Sequence, residues 1–213
     1  MYNEDTNDFA PSAYQNSGQQ NLELLNPWDS RKCALALFTV NQDVILDELK
    51  DRFDLENNAS WDLVRDLCLP VWIKDSYKLR LVVDWISKIS YKIAGEQQQK
   101  DVGKDGKAAS SKAEATSLWY ILMNKKSMLI SLYQQEIATG GDKVAAMLGQ
   151  DFSVDRWKKA ALKNGMVLRQ KQRFLLAVTF FILGNDIQGA IQIINSSMKD
   201  PMLAILTCRM LLL

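Results

Sequence analysis

DFSVDRWKKAALKNGMVLRQKQRFLLAVTFFILGNDIQGAIQIINSSMKDPMLAILTCR, Asp151 to Arg209, is the densest apolar stretch of the chain, and its apolar positions recur at helical spacing. Val154, Trp157, Ala160, Ala161 and Leu168 mark one face of a helix that follows Ser153, while Arg156, Lys158, Lys159 and Lys163 mark the other. Phe174, Ala177, Val178, Phe181 and Ile182 continue as a second, shorter helix. It is apolar nearly all round and so must be covered on several sides. Gly184-Asn185 stops it, and Asp186 can cap a third helix with Ile187, Ala190, Ile191 and Ile194 along one side. Asp200-Pro201 opens a fourth, because proline at the first helical position gives up an N–H that has no intrahelical partner anyway. Short joints between amphipathic or buried helices predict an all-α fold of stacked antiparallel helical hairpins, α-solenoid-like and without a sheet.

Composition removes whole classes of chemistry. At 213 residues and 47% hydrophobic the chain can bury a real core, and a formal net charge of +1 argues against a general polyanion or nucleic-acid binder. No residue is histidine, which excludes catalytic triads, imidazole acid–base schemes and the commonest zinc ligand. Cys33, Cys68 and Cys208 are odd in number, far apart and without a CxxC pair, as expected of buried thiols in a reducing compartment. Asp47, Glu48, Asp51 and Asp54 alternate with Lys50 and Arg52, the pattern of a solvated helix face rather than of paired catalytic carboxylates. The six tryptophans follow no fixed interval and suit core packing better than base stacking. We therefore expect no catalytic, cofactor-binding or metal-binding residues, no cofactor and no enzyme activity. The apolar runs Phe174–Leu183 and Met202–Cys208 reach at most about half the ~20 residues of a membrane span, so no direct membrane insertion is expected. The start, MYNEDTNDFAP, lacks the basic and apolar regions of a signal peptide, which favours a cytoplasmic location.

Taken in order, residues 1–25 carry acids without Lys or Arg and predict a disordered acidic tail. Residues 26–95 form an N-terminal helical segment. Asn26-Pro27 opens it; Cys33, Leu37, Phe38, Ile45, Leu49 and Phe53 supply apolar positions for two short helices jointed near Gln42-Asp43. Ser60 caps a helix that stops before Pro70, and Leu79, Val82, Val83, Ile86, Ile89 and Ile93 stripe a longer one ending at Gly95. Residues 96–116 hold one large apolar residue, Val102, and predict a mobile linker; their Gly-Lys pairs lack the phosphate-loop spacing. Residues 117–213 form a C-terminal helical-hairpin segment. Its last helix, with Leu203, Leu206, Met210, Leu211, Leu212 and Leu213, is apolar enough to require a neighbour outside the chain.

One local charge asymmetry stands out. Arg156, Lys158, Lys159, Lys163, Arg169, Lys171 and Arg173 are opposed only by Asp155, which marks either a solvated face or a binding surface for an acidic partner.

SLWYILMNKKSMLISLY, then DFSVDRWKKAALKNGMVLRQKQRFLLAVTFFILGNDIQGAIQI, then KDPMLAILTCR resemble the C-terminal region of the large subunit of the RAVE complex, a family that includes the rabconnectins. The likeness runs from Leu118 to Arg209, with a weaker one in LPVWIKDSYKLRLVVDWISKISYKI. Gly165 departs from it, standing where the family pattern has alanine, at a cost of roughly 0.5–1 kcal/mol in helix preference. The resemblance implies a non-enzymatic scaffold that helps V-ATPase, the proton pump, reassemble. It implies as partners V-ATPase cytosolic-sector and peripheral-stalk subunits and other RAVE subunits including a Skp-type adaptor, at vacuolar or endosomal membranes. The alternative on the same fold is another helical-repeat adaptor in vesicle trafficking.

Overall fold

The computed structural model describes residues 27–100, 111–136 and 140–213, and the side chains within them except at 27–30 and 99–100. All regular structure among these residues is helical. In order these are α1 (Pro27–Ala36), α2 (Gln42–Phe53), α3 (Leu55–Asn58), α4 (Trp61–Asp66), α5 (Leu69–Trp72), α6 (Ser76–Lys100) and α7 (Lys112–Leu122). They continue with α8 (Lys126–Gln135), α9 (Gly141–Leu148), α10 (Asp155–Gln170), α11 (Phe174–Leu183), α12 (Ile187–Ile193) and α13 (Pro201–Leu211). A π-helical turn, Ile194–Met198, joins the last two.

Several of the helices begin where short polar side chains take up free N–H groups, an arrangement typically worth about 1 kcal/mol per cap. Ser60 accepts from the Leu63 N–H at 3.3 Å, Ser111 from Glu114 at 2.9 Å, Asp186 from Gly189 at 2.8 Å and Asp200 from Leu203 at 3.0 Å. Asp200 does more than cap. Its second oxygen accepts the Trp61 indole N–H at 2.6 Å, and Arg209 donates to the Pro70 carbonyl at 2.8 Å, so α4 and α5 are bonded to the opposite end of the described chain.

Two apolar clusters meet at α11. The larger draws Leu49, Leu67, Trp72, Val82, Ile86, Leu118, Val178, Ile193 and Leu206 together from both halves of the chain. The smaller joins Leu129, Tyr133, Leu148, Ala161, Leu176 and Phe180. Because α11 feeds both, its near-continuous apolar surface is covered by α7, α10, α12 and the π turn. The ring of Phe181 is held between two glycines. A methyl group on Gly165 of α10 would lie 2.7 Å from one edge of the ring, and one on Gly189 of α12 would lie 2.7 Å from the other. Gly165 is therefore not a defect in α10; it is the notch into which Phe181 fits.

Several expectations are corrected by the packing. The helix through Gly95 continues to Lys100 and the next begins at Lys112, with Ala113 and Thr116 fully buried, so the expected linker 96–116 is too long at both ends. What composition could not reveal is the tertiary anchoring: the Ala113 N–H donates to Glu136 at 3.2 Å, and the Lys112 ammonium lies 5.0 Å from the Tyr91 ring centroid. Residues 101–110 and the expected tail 1–25 lie outside the described residues. Gln42 is not a joint but a buried bracket, donating to the Ala36 carbonyl at 2.8 Å and accepting the Lys74 N–H at 2.9 Å. Leu37 and Phe38 are exposed, Phe38 to 86%, because α1 ends at Ala36 and they fall in the turn beyond it. Val154 lies outside α10 and is 47% exposed, and Trp157 is half-buried and belongs to neither cluster. Cys33 is buried, whereas Cys68 and Cys208 are only half-buried. The last helix needs no outside cover for its main face: Leu203, Leu206 and Met210 are buried against the chain itself, leaving Ile205, Leu212 and Leu213 exposed.

Two outcomes follow for stability. Gly165→Ala gains helix preference but drives a methyl into a ring that Gly189 prevents from retreating, so thermal unfolding should show a net loss of about 1–2 kcal/mol. Asp84 of α6 is tied to the α7–α8 junction by Lys125 at 2.7 Å and to Lys88 at 2.9 Å. Burial pushes its carboxyl pKa up, but the hydrogen bonds and charges of the two ammonium groups outweigh burial and leave it below the ordinary value. A depressed carboxyl stabilises the fold above its ordinary pKa and loses that contribution as pH falls through the depressed one. The melting-temperature deficit of Asp84→Asn at neutral pH should therefore shrink as pH falls below the ordinary carboxyl range and disappear below the depressed value of Asp84.

Candidate functional site

α10 packs mainly on α11 and leaves its other side to solvent. The helix presents Ala161 and Gly165 to the interior and keeps Leu162 and Leu168 partly covered. On the outer side, Arg156, Lys159 and Lys163 recur at spacings of three and four, which places them on one line along the axis. The same line continues through Met166 and Val167, which are 56% and 47% exposed. The cationic half of this ridge lies toward the helix N-terminus, where the backbone dipole already disfavours positive charge. Asp155 is the only acid in α10, and its nearest approach, to Lys158, is a loose 3.8 Å.

The seven cations of the sequence cluster do not act as one group. Lys158 and Arg169 lie off the ridge by roughly a third of a helix turn, and Lys171 follows in the turn after α10. The Arg156 guanidinium rests 5.2 Å from the Trp157 ring centroid, a cation–π contact that covers part of the indole. Arg173 is engaged elsewhere: its Nε donates at 2.8 Å to Glu114 of α7 and its Nη2 to the second carboxylate oxygen. That hydrogen bonding raises the Arg173 pKa although burial works against it. Lys159 and Lys163 form no ion pair among the described residues. Sequence reasoning missed Met166 and Val167, whose spacing from Lys163 would have placed them on the ridge, and missed Glu114, whose pairing with Arg173 no local signal announces.

Two clefts are formed elsewhere. One, about 210 Å³ and lined by Tyr91, Gln98, Lys112, Leu132, Gln135 and Glu136, is below the ~300–1,000 Å³ of typical ligand pockets. The other, about 430 Å³ between α8 and α9, offers one carboxylate, Asp142, and no base beside it. Among the described residues, no three His, Cys, Asp or Glu side chains converge as a metal site, and no helix is long and apolar enough to cross a membrane.

A helical stack with an outward cationic ridge defines a scaffold class of protein, whose working parts are surfaces. Within that class the sequence is specific. The family model described as RAVE protein 1 C terminal matches residues 12–211, and the chain belongs to this family. It is 29% identical over 180 residues to Regulator of V-ATPase in vacuolar membrane protein 1 of Saccharomyces cerevisiae, covering 84% of this chain and 12% of that protein. The protein of the same name in Schizosaccharomyces pombe is 25% identical over 185 residues, and DmX-like protein 1 of mouse 25% identical over 155. The chain thus spans about an eighth of the fungal relatives' length and 4% of the mouse protein's.

The division of labour among the cations is measurable. Arg173→Ala should lower stability by about 1–3 kcal/mol, since it strands the mostly buried Glu114 carboxylate. Lys159→Glu with Lys163→Glu should stay within about 1 kcal/mol of the parent chain. Denaturant unfolding of the two variants side by side tests both values.

Proposed function

We propose that this chain is a non-enzymatic helical scaffold segment of a V-ATPase assembly regulator. It binds cytosolic-sector and peripheral-stalk subunits of the pump together with RAVE partners, including a Skp-type adaptor, and so promotes reassembly of the pump. It works as a peripheral, cytoplasmic component at vacuolar or endosomal membranes. The observation that carries this reading is the family match across residues 12–211, on a stack of helices whose packing leaves the outer side of α10 uncovered. The relatives named as regulators of V-ATPase in the vacuolar membrane support the pump as the target. The cluster Arg156, Lys158, Lys159, Lys163, Arg169, Lys171 and Arg173 supplies the partner-facing charge, with Arg173 contributing through the fold.

The test passes purified V-ATPase cytosolic-sector and stalk subunits, a Skp-type adaptor and vesicle-coat subunits over the immobilised chain. Retention of pump subunits, weakened as salt rises, is the expected result. Retention of coat subunits alone would overturn the proposal in favour of a trafficking adaptor.

A further inference from the structure

We infer that the outer ridge of α10 is a docking site for an amphipathic acidic helix, with carboxylates seated on Arg156, Lys159 and Lys163 and an apolar pair seated on Met166 and Val167. The ridge is continuous over the twelve residues from Arg156 to Val167, about 16 Å at 1.5 Å per step, which is three turns of helix. Its two halves differ in chemistry but not in direction, so a single straight partner helix can meet both.

The fold makes little use of these groups. Like charges at three- and four-residue spacing destabilise a helix by roughly 0.2–0.5 kcal/mol per pair, and the described residues place no acid against Lys159 or Lys163. The side chains of Met166 and Val167 stay out of both apolar clusters, although α11 packs against the opposite side of the same helix. A helix carrying two or three carboxylates over two turns, followed on the same face by two aliphatic residues, would neutralise the first half and cover the second. Charge complementarity would speed its encounter, and burial of the apolar pair would slow its departure.

Other occupants fit less well. Nucleic acid would call for exposed aromatic platforms beside the cations, and the one aromatic of α10, Trp157, is half-buried with Arg156 over it. An anionic membrane surface contributes about 1 kcal/mol per cation, so three cations alone would hold the chain only in the millimolar range. A narrow, straight ridge matches another helix.

The test is independent of the V-ATPase reading. A failed subunit pull-down removes that named partner, whereas the experiment here addresses the surface itself. The probe is a fluorescent 16-residue helical peptide with glutamates on its first two turns and two leucines on the next turn of the same face. Fluorescence anisotropy is read against the full chain. Controls are a scrambled peptide of the same composition, a charge-reversed peptide with lysines for glutamates, and phosphatidylcholine vesicles containing phosphatidylserine. We expect binding on the order of 10 µM at low salt. It should weaken at least about tenfold in Lys159→Glu with Lys163→Glu and several-fold in Met166→Ser with Val167→Ser. The charge-reversed peptide should bind the Glu variant better than the parent. Circular dichroism and melting curves confirm folding of each variant; if either fails to fold, Lys159→Ala with Lys163→Ala or Met166→Ala takes its place. Equal binding of the scrambled peptide, no effect of the variants, or capture by the anionic vesicles without peptide binding would overturn the inference.

Discussion

The ring of Phe181, gripped between Gly165 and Gly189, is the contact on which the second half of the chain depends. It sets how closely α10 and α12 approach α11, and α11 supplies side chains to both apolar clusters. A similar notch lies one turn away, where a methyl on Gly184 would meet Leu162 at 2.6 Å. Two helices interlocked on successive turns by glycine and a large side chain make a rigid hairpin. The outer ridge of α10 is held in position by that rigidity. An alanine at position 165 would require α10 to stand slightly further out. One methyl group acts as a shim between the outer helix and the core.

Most of the fold was legible because its signals are local. The Asp186 and Asp200 caps, the Gly184-Asn185 stop and proline at the head of α13 depend on neighbours within one turn, and the packing uses each of them as read, whereas helical spacing put Val154 and Ile187 on buried faces and both are exposed. What escaped was whatever depends on a distant residue. Nothing in EQQQK announces that it continues α6. Ala113 is buried because Glu136, 23 residues on, receives its N–H. Phe38 looks like core by composition and is solvent-exposed because α1 stops two residues before it.

The candidate surface divides in the same way. The sequence places Arg156, Lys159 and Lys163 together, since their spacing alone puts them on one face. It could not separate Arg173 from them, because the partner that claims Arg173 is Glu114, 59 positions earlier. Nor could it show that Trp157 shields itself under Arg156 and stays outside the core. Charge counted along a chain is only potential surface, and tertiary pairing decides which charges remain available.

The Asp200 carboxylate that caps α13 also holds the indole of Trp61, 139 residues earlier. On a ribosome adding about 5–20 residues per second, Trp61 is made roughly 7–28 s before its acceptor exists. Through that interval α4 and α5 can form, but the apolar surface they present to α13 has nothing to cover it. Nascent chains therefore carry α4 and α5 uncovered until Asp200 and the α13 residues that follow it, Leu203, Leu206 and Met210, have been made.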